Sequence, residues 1–229
     1  MKKQKLLTGM LLILAAFTFL LSWWLMPDPG TTDTSHILQI VKQSRTAVVA
    51  SVIIQILSSI LYILAMLMIV KIISPERTTM AGIALLAIGA MGLCSDAFFH
   101  LLAWFMTDNS VTIQKDVIQV MTFMQTDALL FLVPILLPLL FGSLVLAMGL
   151  NKQKIISNKS KIVFTTAFVI GILSAAAGKF HLYNGPSPVF GILALFAGGQ
   201  ILMGIEFAKT TRELPLQYKS NKIIIQVNH

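Results

Sequence analysis

Long apolar runs separated by short polar connectors fill most of the chain. Six of them reach or approach the roughly 20 residues that a helix needs to cross the hydrocarbon core of a bilayer. They lie at about 6–26, 46–73, 80–106, 117–150, 162–183 and 189–208, and a polar tail follows at 209–229. The predicted fold is all-α: a polytopic membrane helix bundle with six transmembrane helices in a single domain, residues 1–229, with both termini cytoplasmic.

Two connectors carry a pattern of their own. After the turn chemistry of Pro27–Gly30, the apolar residues Ile37, Leu38, Ile40 and Val41 recur at helical spacing, and Asp33, Thr34 or Ser35 can cap such a helix. The fourth run opens in the same way. Asp116–Thr126 places Val117, Val120, Met121 and Met124 on one side, so this stretch lies at the surface or extends the next helix. The transmembrane part proper starts near Ala128, and Pro134 and Pro138 inside it predict a kink.

Polar residues within the runs are few and patterned. Ser51, Gln55, Ser58 and Tyr62 form one stripe on the second span, as interhelical hydrogen bonding requires. Gly171, Ser174, Gly178 and His181 share a face of the fifth span, and small residues there predict close burial against neighbours. GIALLAIG at Gly82 and GILALFAG at Gly191 agree at four of eight positions, which raises an inverted repeat of three spans plus three. Glu206 and Lys209 are expected to pair near the inner surface.

Composition supports the membrane reading. The chain is 56% hydrophobic and 11% charged, against about 25% charged residues in soluble domains. The net charge of +8 does not point to nucleic acid, because the basic residues sit in connectors and tails. With the N-terminus inside, thirteen Lys and Arg fall on the cytoplasmic side: Lys2, Lys3, Lys5, Lys71, Arg77, Lys152, Lys154, Lys159, Lys161, Lys209, Arg212, Lys219 and Lys222. Three, Lys42, Arg45 and Lys115, fall on the other side, and Lys179 lies in the fifth span. That asymmetry alternates through six spans as the positive-inside rule demands, and the location expected is the cytoplasmic membrane. The first span, after three lysines, also has the outline of a signal peptide. Its length and its Trp23–Trp24 end favour an uncleaved helix anchored at the interface. A lone cysteine, Cys94, excludes an internal disulfide framework and a thiolate metal cluster.

The candidate chemistry gathers around Gly89–His100, GAMGLCSDAFFH. Asp96 and His100 are one helical turn apart on one face. Titratable groups inside a span are costly and mark functional sites. On the topology above, Asp96, His100, Asp127, His181 and Gln55 come from four spans and fall in the same outer layer. Two imidazoles and two carboxylates suit zinc or another divalent metal, with Asp96, His100, Asp127 and His181 as ligands. The same groups suit a proton relay or a bound cation, and two histidines on different helices suit haem. The bland reading is a self-satisfied Asp96–His100 pair, an exposed capping Asp127 and a His181 that reaches to water.

Ser95, Asp96 and His100 within one span resemble the serine, aspartate and histidine set of the membrane hydrolases of the alkaline ceramidase and adiponectin receptor type. Those families place the serine four residues before the first histidine, end on an HxxxH pair and have seven spans. Here Ser95 precedes His100 by five, and His181 has no histidine at +4, so no catalytic role carries over.

The function expected is a small bundle that holds a polar ligand, ion or metal in its outer half, as a sensor or accessory subunit. The alternatives are a metal-dependent hydrolase of a lipid ester or amide, a small transporter, and a structural partner. The partners expected are the lipid bilayer and a membrane protein or second copy of the chain.

Overall fold

The computed structural model describes residues 2–27, 33–108, 110, 115–179 (side chains to 174) and 189–210. Within them the chain forms eight helices: α1 (Lys2–Leu25), α2 (Thr34–Gln43), α3 (Arg45–Ile72), α4 (Arg77–Met106), α5 (Lys115–Gln125), α6 (Leu129–Lys152), α7 (Asn158–Lys179) and α8 (Val189–Lys209). Five of them, α1, α3, α4, α6 and α8, are long and apolar enough to cross a membrane. His181 and the tail beyond Thr210 lie outside the described residues.

The six long helices pack in chain order as a ring. Each touches the next, and α8 returns to α1. The described ends meet at one end of the bundle, where Lys5 Nζ donates to the Thr210 carbonyl at 3.3 Å. Gly9 and Gly204 let α1 and α8 cross there almost backbone to backbone. The most extensive pair is α4 with α6. Gly82, Gly89 and Gly92 on α4 and Gly142 and Gly149 on α6 line that seam, and a Cβ at Gly89 would lie 2.1 Å from the Leu139 nitrogen. Glycine is required here by proximity, since any side chain would drive the helices apart.

The apolar core runs through the ring and includes Leu12, Phe19, Ile69, Leu86, Leu93, Leu139, Leu146, Phe164 and Phe207. At its centre the Tyr62 hydroxyl on α3 donates to Gln200 Oε1 on α8, and Gln200 Nε2 donates to Ser143 Oγ on α6 at 2.8 Å. All three residues are fully buried. The rest of the α3 stripe also bonds to neighbouring helices, as its spacing implied. Ser51 Oγ donates to the Ser22 carbonyl at 2.7 Å and Ser58 Oγ to the Ala15 carbonyl at 2.9 Å, both on α1.

The short helices α2 and α5 sit together at the end of the bundle opposite the described termini. Asp33 caps α2, its Oδ1 accepting from the Ser35 and His36 amides at 2.9 and 3.1 Å. The apolar sides of α2 and α5 meet the ends of α1, α3 and α4 in a second cluster: Met26, Ile37, Leu38, Val41, Val48, Ala103, Met106, Met121 and Met124. Arg45 fastens the entry of α3 to the exit of α4. It donates to the Trp104 carbonyl at 2.9 Å and to Thr107 Oγ1 at 3.1 Å, pairs with Asp108 Oδ2 at 2.9 Å, and lies over the Trp104 ring.

Three expectations need correction. The run 117–150 is two helices, because the chain turns at Thr126–Ala128 before α6 starts at Leu129. The turn lets the amphipathic α5 lie along the bundle end while the strongly apolar α6 enters it. The small-residue face of α7 is not closely buried where described: Gly171 and Ser174 are half-buried, and a Cβ at Gly171 would meet only Ile192, at 3.8 Å. Small residues permit close approach without compelling it, and α7 packs through Phe164 and Ala167 instead. The two matching glycine stretches also differ in packing: Gly82 and Gly89 are pressed against α6, whereas Gly191 and Gly198 have nothing within 4 Å. Finally, Glu206 serves the start of α7. It accepts from the Ser157 amide at 3.0 Å, the Ser157 hydroxyl and Ser160 Oγ at 3.4 Å, where the helix N-terminus favours a negative charge.

Candidate functional site

The α4 helix carries Asp96 ten residues before its Met106 end, about 15 Å along the axis at 1.5 Å per residue. It is long and apolar enough to span a bilayer, so a carboxylate at this depth must be held by partners. Two are present. Gln55 on α3 donates from Nε2 to Asp96 Oδ2 at 2.6 Å, and His100, one turn on, brings Nε2 to the same oxygen at 3.3 Å. The other carboxylate oxygen, Oδ1, receives no hydrogen bond among the described residues. The side chains of Asp96 and His100 are 10% and 26% exposed, so the acid is the floor of the arrangement and the imidazole its more open side. Gly92, one turn before Asp96, holds α6 against α4 at this level: a Cβ there would lie 2.2 Å from the Ile135 carbonyl oxygen.

Asp96 and His100 open onto a cavity of about 290 Å³. Its walls come from α1, α2, α4, α5, α6 and the start of α8. Most of the lining is apolar, including Met26, Ile37, Phe99, Met121, Met124 and Leu132. The polar exceptions are Asp96, His100, Gln125 and the indole of Trp23. Trp23 meets His100 edge to face, ring centroids 6.4 Å apart and planes at 87°. Its Nε1 is buried and has no hydrogen-bond partner among the described residues. A buried donor without a partner costs free energy unless something satisfies it. The cavity thus joins an apolar body to a small set of polar groups, among them a carboxylate with one oxygen that accepts no hydrogen bond among the described residues, the usual character of a small-molecule site.

Of the five site residues expected from sequence, the structure brings Gln55, Asp96 and His100 together. Asp127 is exposed in the turn before α6 and does not join them. An acid ahead of a helix gains from water and from the helix N-terminus alike, so it has no need of the interior. His181 lies outside the described residues, and with it the haem pairing and the fourth metal ligand. Among the described residues, no three His, Cys, Asp or Glu side chains form a group that could hold a metal ion. Ser95, the serine of the hydrolase resemblance, donates its hydroxyl to the Met91 carbonyl of its own helix at 3.1 Å.

Sequence reasoning missed Trp23, Met121, Met124 and Gln125 as walls. The pairing of Trp23 with Trp24 has the outline of an interfacial belt, and only Trp24 is highly exposed, at 70%. The apolar face of α5 was visible, but not that it roofs the Asp96 cavity. No protein-family model, curated protein or solved structure matches the chain.

Proposed function

We propose that this protein is a multi-pass integral membrane protein with six spans and cytoplasmic termini. In this reading it binds a small ligand with a polar head in the cavity beside Asp96 and His100, as a sensor or accessory subunit. The seventeen Lys and Arg residues, concentrated in the connectors assigned to the terminal side, support the orientation. That orientation puts α2, α5 and the cavity on the non-cytoplasmic face of the cytoplasmic membrane.

One observation carries the binding reading. Asp96 spends one oxygen on Gln55 and His100, while the other carries no hydrogen bond among the described residues in an acid that lines an apolar cavity. A pair serving only to fill the bundle would have no use for a cavity at its open side.

The test is thiol labelling in intact cells. In a Cys94→Ala background, Met124→Cys places a thiol in the cavity wall and Leu139→Cys places one in the packed core. A membrane-impermeant methanethiosulfonate reagent added outside is expected to modify the first and spare the second. Equal inertness of the two rejects an accessible cavity, and labelling of Met124→Cys only after the cells are opened rejects the orientation.

A further inference from the structure

We infer that the ligand is an amphiphilic cation: an ammonium head on a short apolar body. This deepens the binding reading above and rests on it. Among the described residues that line the cavity there is no lysine, arginine or second acid, and Asp96 is the one carboxylate. An anion would meet that carboxylate with no lysine or arginine in the lining to offset it. A neutral alcohol would bring no charge to set against that of Asp96. An ammonium N–H donor directed at Oδ1 completes the carboxylate with a charge-assisted hydrogen bond, and such bonds are roughly twice as strong as neutral ones.

The surroundings of the acid suit the remainder of such a molecule. Trp23 and Phe99 give aromatic walls, and the faces of such rings attract cations. Met26, Met121 and Met124 give polarizable apolar walls that adapt to the shape of an aliphatic chain. At about 290 Å³, the cavity approaches the lower end of the roughly 300–1,000 Å³ typical of small-molecule sites. That is room for a short amphiphile rather than a bare ion. The apolar body also explains why the site lies deep beside α4: transfer of aliphatic groups from water supplies affinity in proportion to buried area.

The experiment uses the full chain in phosphatidylcholine nanodiscs, with Trp24→Phe and Trp104→Phe so that emission reports Trp23 alone. The probes are decylammonium, decyltrimethylammonium, decanol and decanoate. Decylammonium is expected to give a saturable change, with an affinity roughly 10-fold or more above that of decanol, the gain of one charge-assisted bond. Decyltrimethylammonium, which has no N–H, falls between them, and decanoate does not compete. Asp96→Asn, which keeps an acceptor for Gln55, brings decylammonium and decanol to within about 2-fold, a residual of a few tenths of a kcal/mol by the tenfold-per-1.4 rule. If Asp96→Asn fails to fold, the ranking of the four probes on the unsubstituted site decides. Phosphatidylethanolamine discs that suppress the decylammonium response support the same chemistry supplied by a lipid headgroup. Equal binding of decylammonium and decanol, abolished by the cavity-filling Met124→Phe, overturns the cationic class and leaves the cavity reading intact. Absence of any saturable response, together with an unreactive Met124→Cys, overturns both.

Discussion

Gln55 on α3 gives its side-chain N–H to Oδ2 of Asp96 on α4 across 2.6 Å, and so ties two neighbouring helices at the depth of the buried acid. The bond does two things: it fixes the carboxylate rotamer, and it satisfies part of a charge that lipid and apolar side chains cannot. Gln55→Leu is nearly the same size and removes the side-chain amide, and with it the donor to Asp96. It is expected to destabilise the protein by about 1–3 kcal/mol, the cost of leaving a buried polar group short of a partner. Asp96→Asn, which still accepts from Gln55, should cost less. Equilibrium unfolding in mixed micelles gives both values, and an unchanged Gln55→Leu would show that His100 alone suffices to hold the acid.

The glycines separate into two populations with opposite expected behaviour. Gly89 faces the α6 backbone, where an added methyl would lie 2.1 Å from the Leu139 nitrogen and 2.3 Å from its Cα. Backbone cannot yield as a flexible side chain can, so Gly89→Ala must separate α4 from α6. A loss of several kcal/mol is expected, in the upper range for overpacking, about 3 kcal/mol or more. Gly198→Ala meets nothing within 4 Å and should be neutral or stabilising by up to about 1 kcal/mol, the helix propensity of alanine over glycine. Paired melting temperatures decide. A benign Gly89→Ala would mean that the seam is looser than described.

Much of this was legible in the chain, for identifiable reasons. The α3 stripe could be read because four polar side chains at helical spacing have few other uses in an apolar environment, and each of the four bonds to another helix. The connectors could be read because apolar residues at a 3.6-residue period define a face whatever covers it. The failures share one cause: the residue type allowed two placements, and only packing chose between them. Asp127 suits an exposed helix start as well as an interior. Gly82 and Gly89 of α4 and Gly191 and Gly198 of α8 give the same letters in a tight seam and on an open face. Glu206 could meet Lys209 along its own helix or, as it does, the start of α7. Trp23 belongs to an aromatic end of α1 that can be belt or wall, and its ring against His100 is a tertiary fact without a local signature.

Acid should loosen the end of the bundle at a place that can be named. Hydrogen bonds from the Ser110 hydroxyl and amide hold the Asp108 carboxyl below the usual carboxylate range, and the Arg45 guanidinium adds to the effect. A carboxyl depressed in the folded state contributes stability that is present above its unfolded pKa, about 3.9, and lost as pH falls through the folded value. The stability difference between wild type and Asp108→Asn should therefore be flat from neutral pH to about pH 5 and shrink only below about pH 4. Emission from Trp104 reports it, because the Arg45 guanidinium sits 4.5 Å from that ring's centroid. A difference that vanishes already near pH 6 would contradict this assignment.

The chain Tyr62–Gln200–Ser143 bears on a transport reading, because it joins α3, α8 and α6 at the centre of the ring and continues from Ser143 Oγ to the Leu139 carbonyl at 2.9 Å. Groups that would line a polar path are here bonded to one another and fully buried. If the network serves packing, Tyr62→Phe and Gln200→Leu should each destabilise the bundle and be coupled. Removal of the second partner should then cost less once the first is gone. Coupling energies between polar side chains in membrane proteins average about 0.6 kcal/mol and reach about 1.7, and a fully buried pair belongs in the upper part of that range. The double-mutant cycle by unfolding in micelles measures it. Ligand binding at the Asp96 cavity should be unaffected, since the network includes none of that cavity's lining residues. Zero coupling, with loss of ligand response in Tyr62→Phe, would instead connect the centre of the bundle to the cavity and favour a path through the protein.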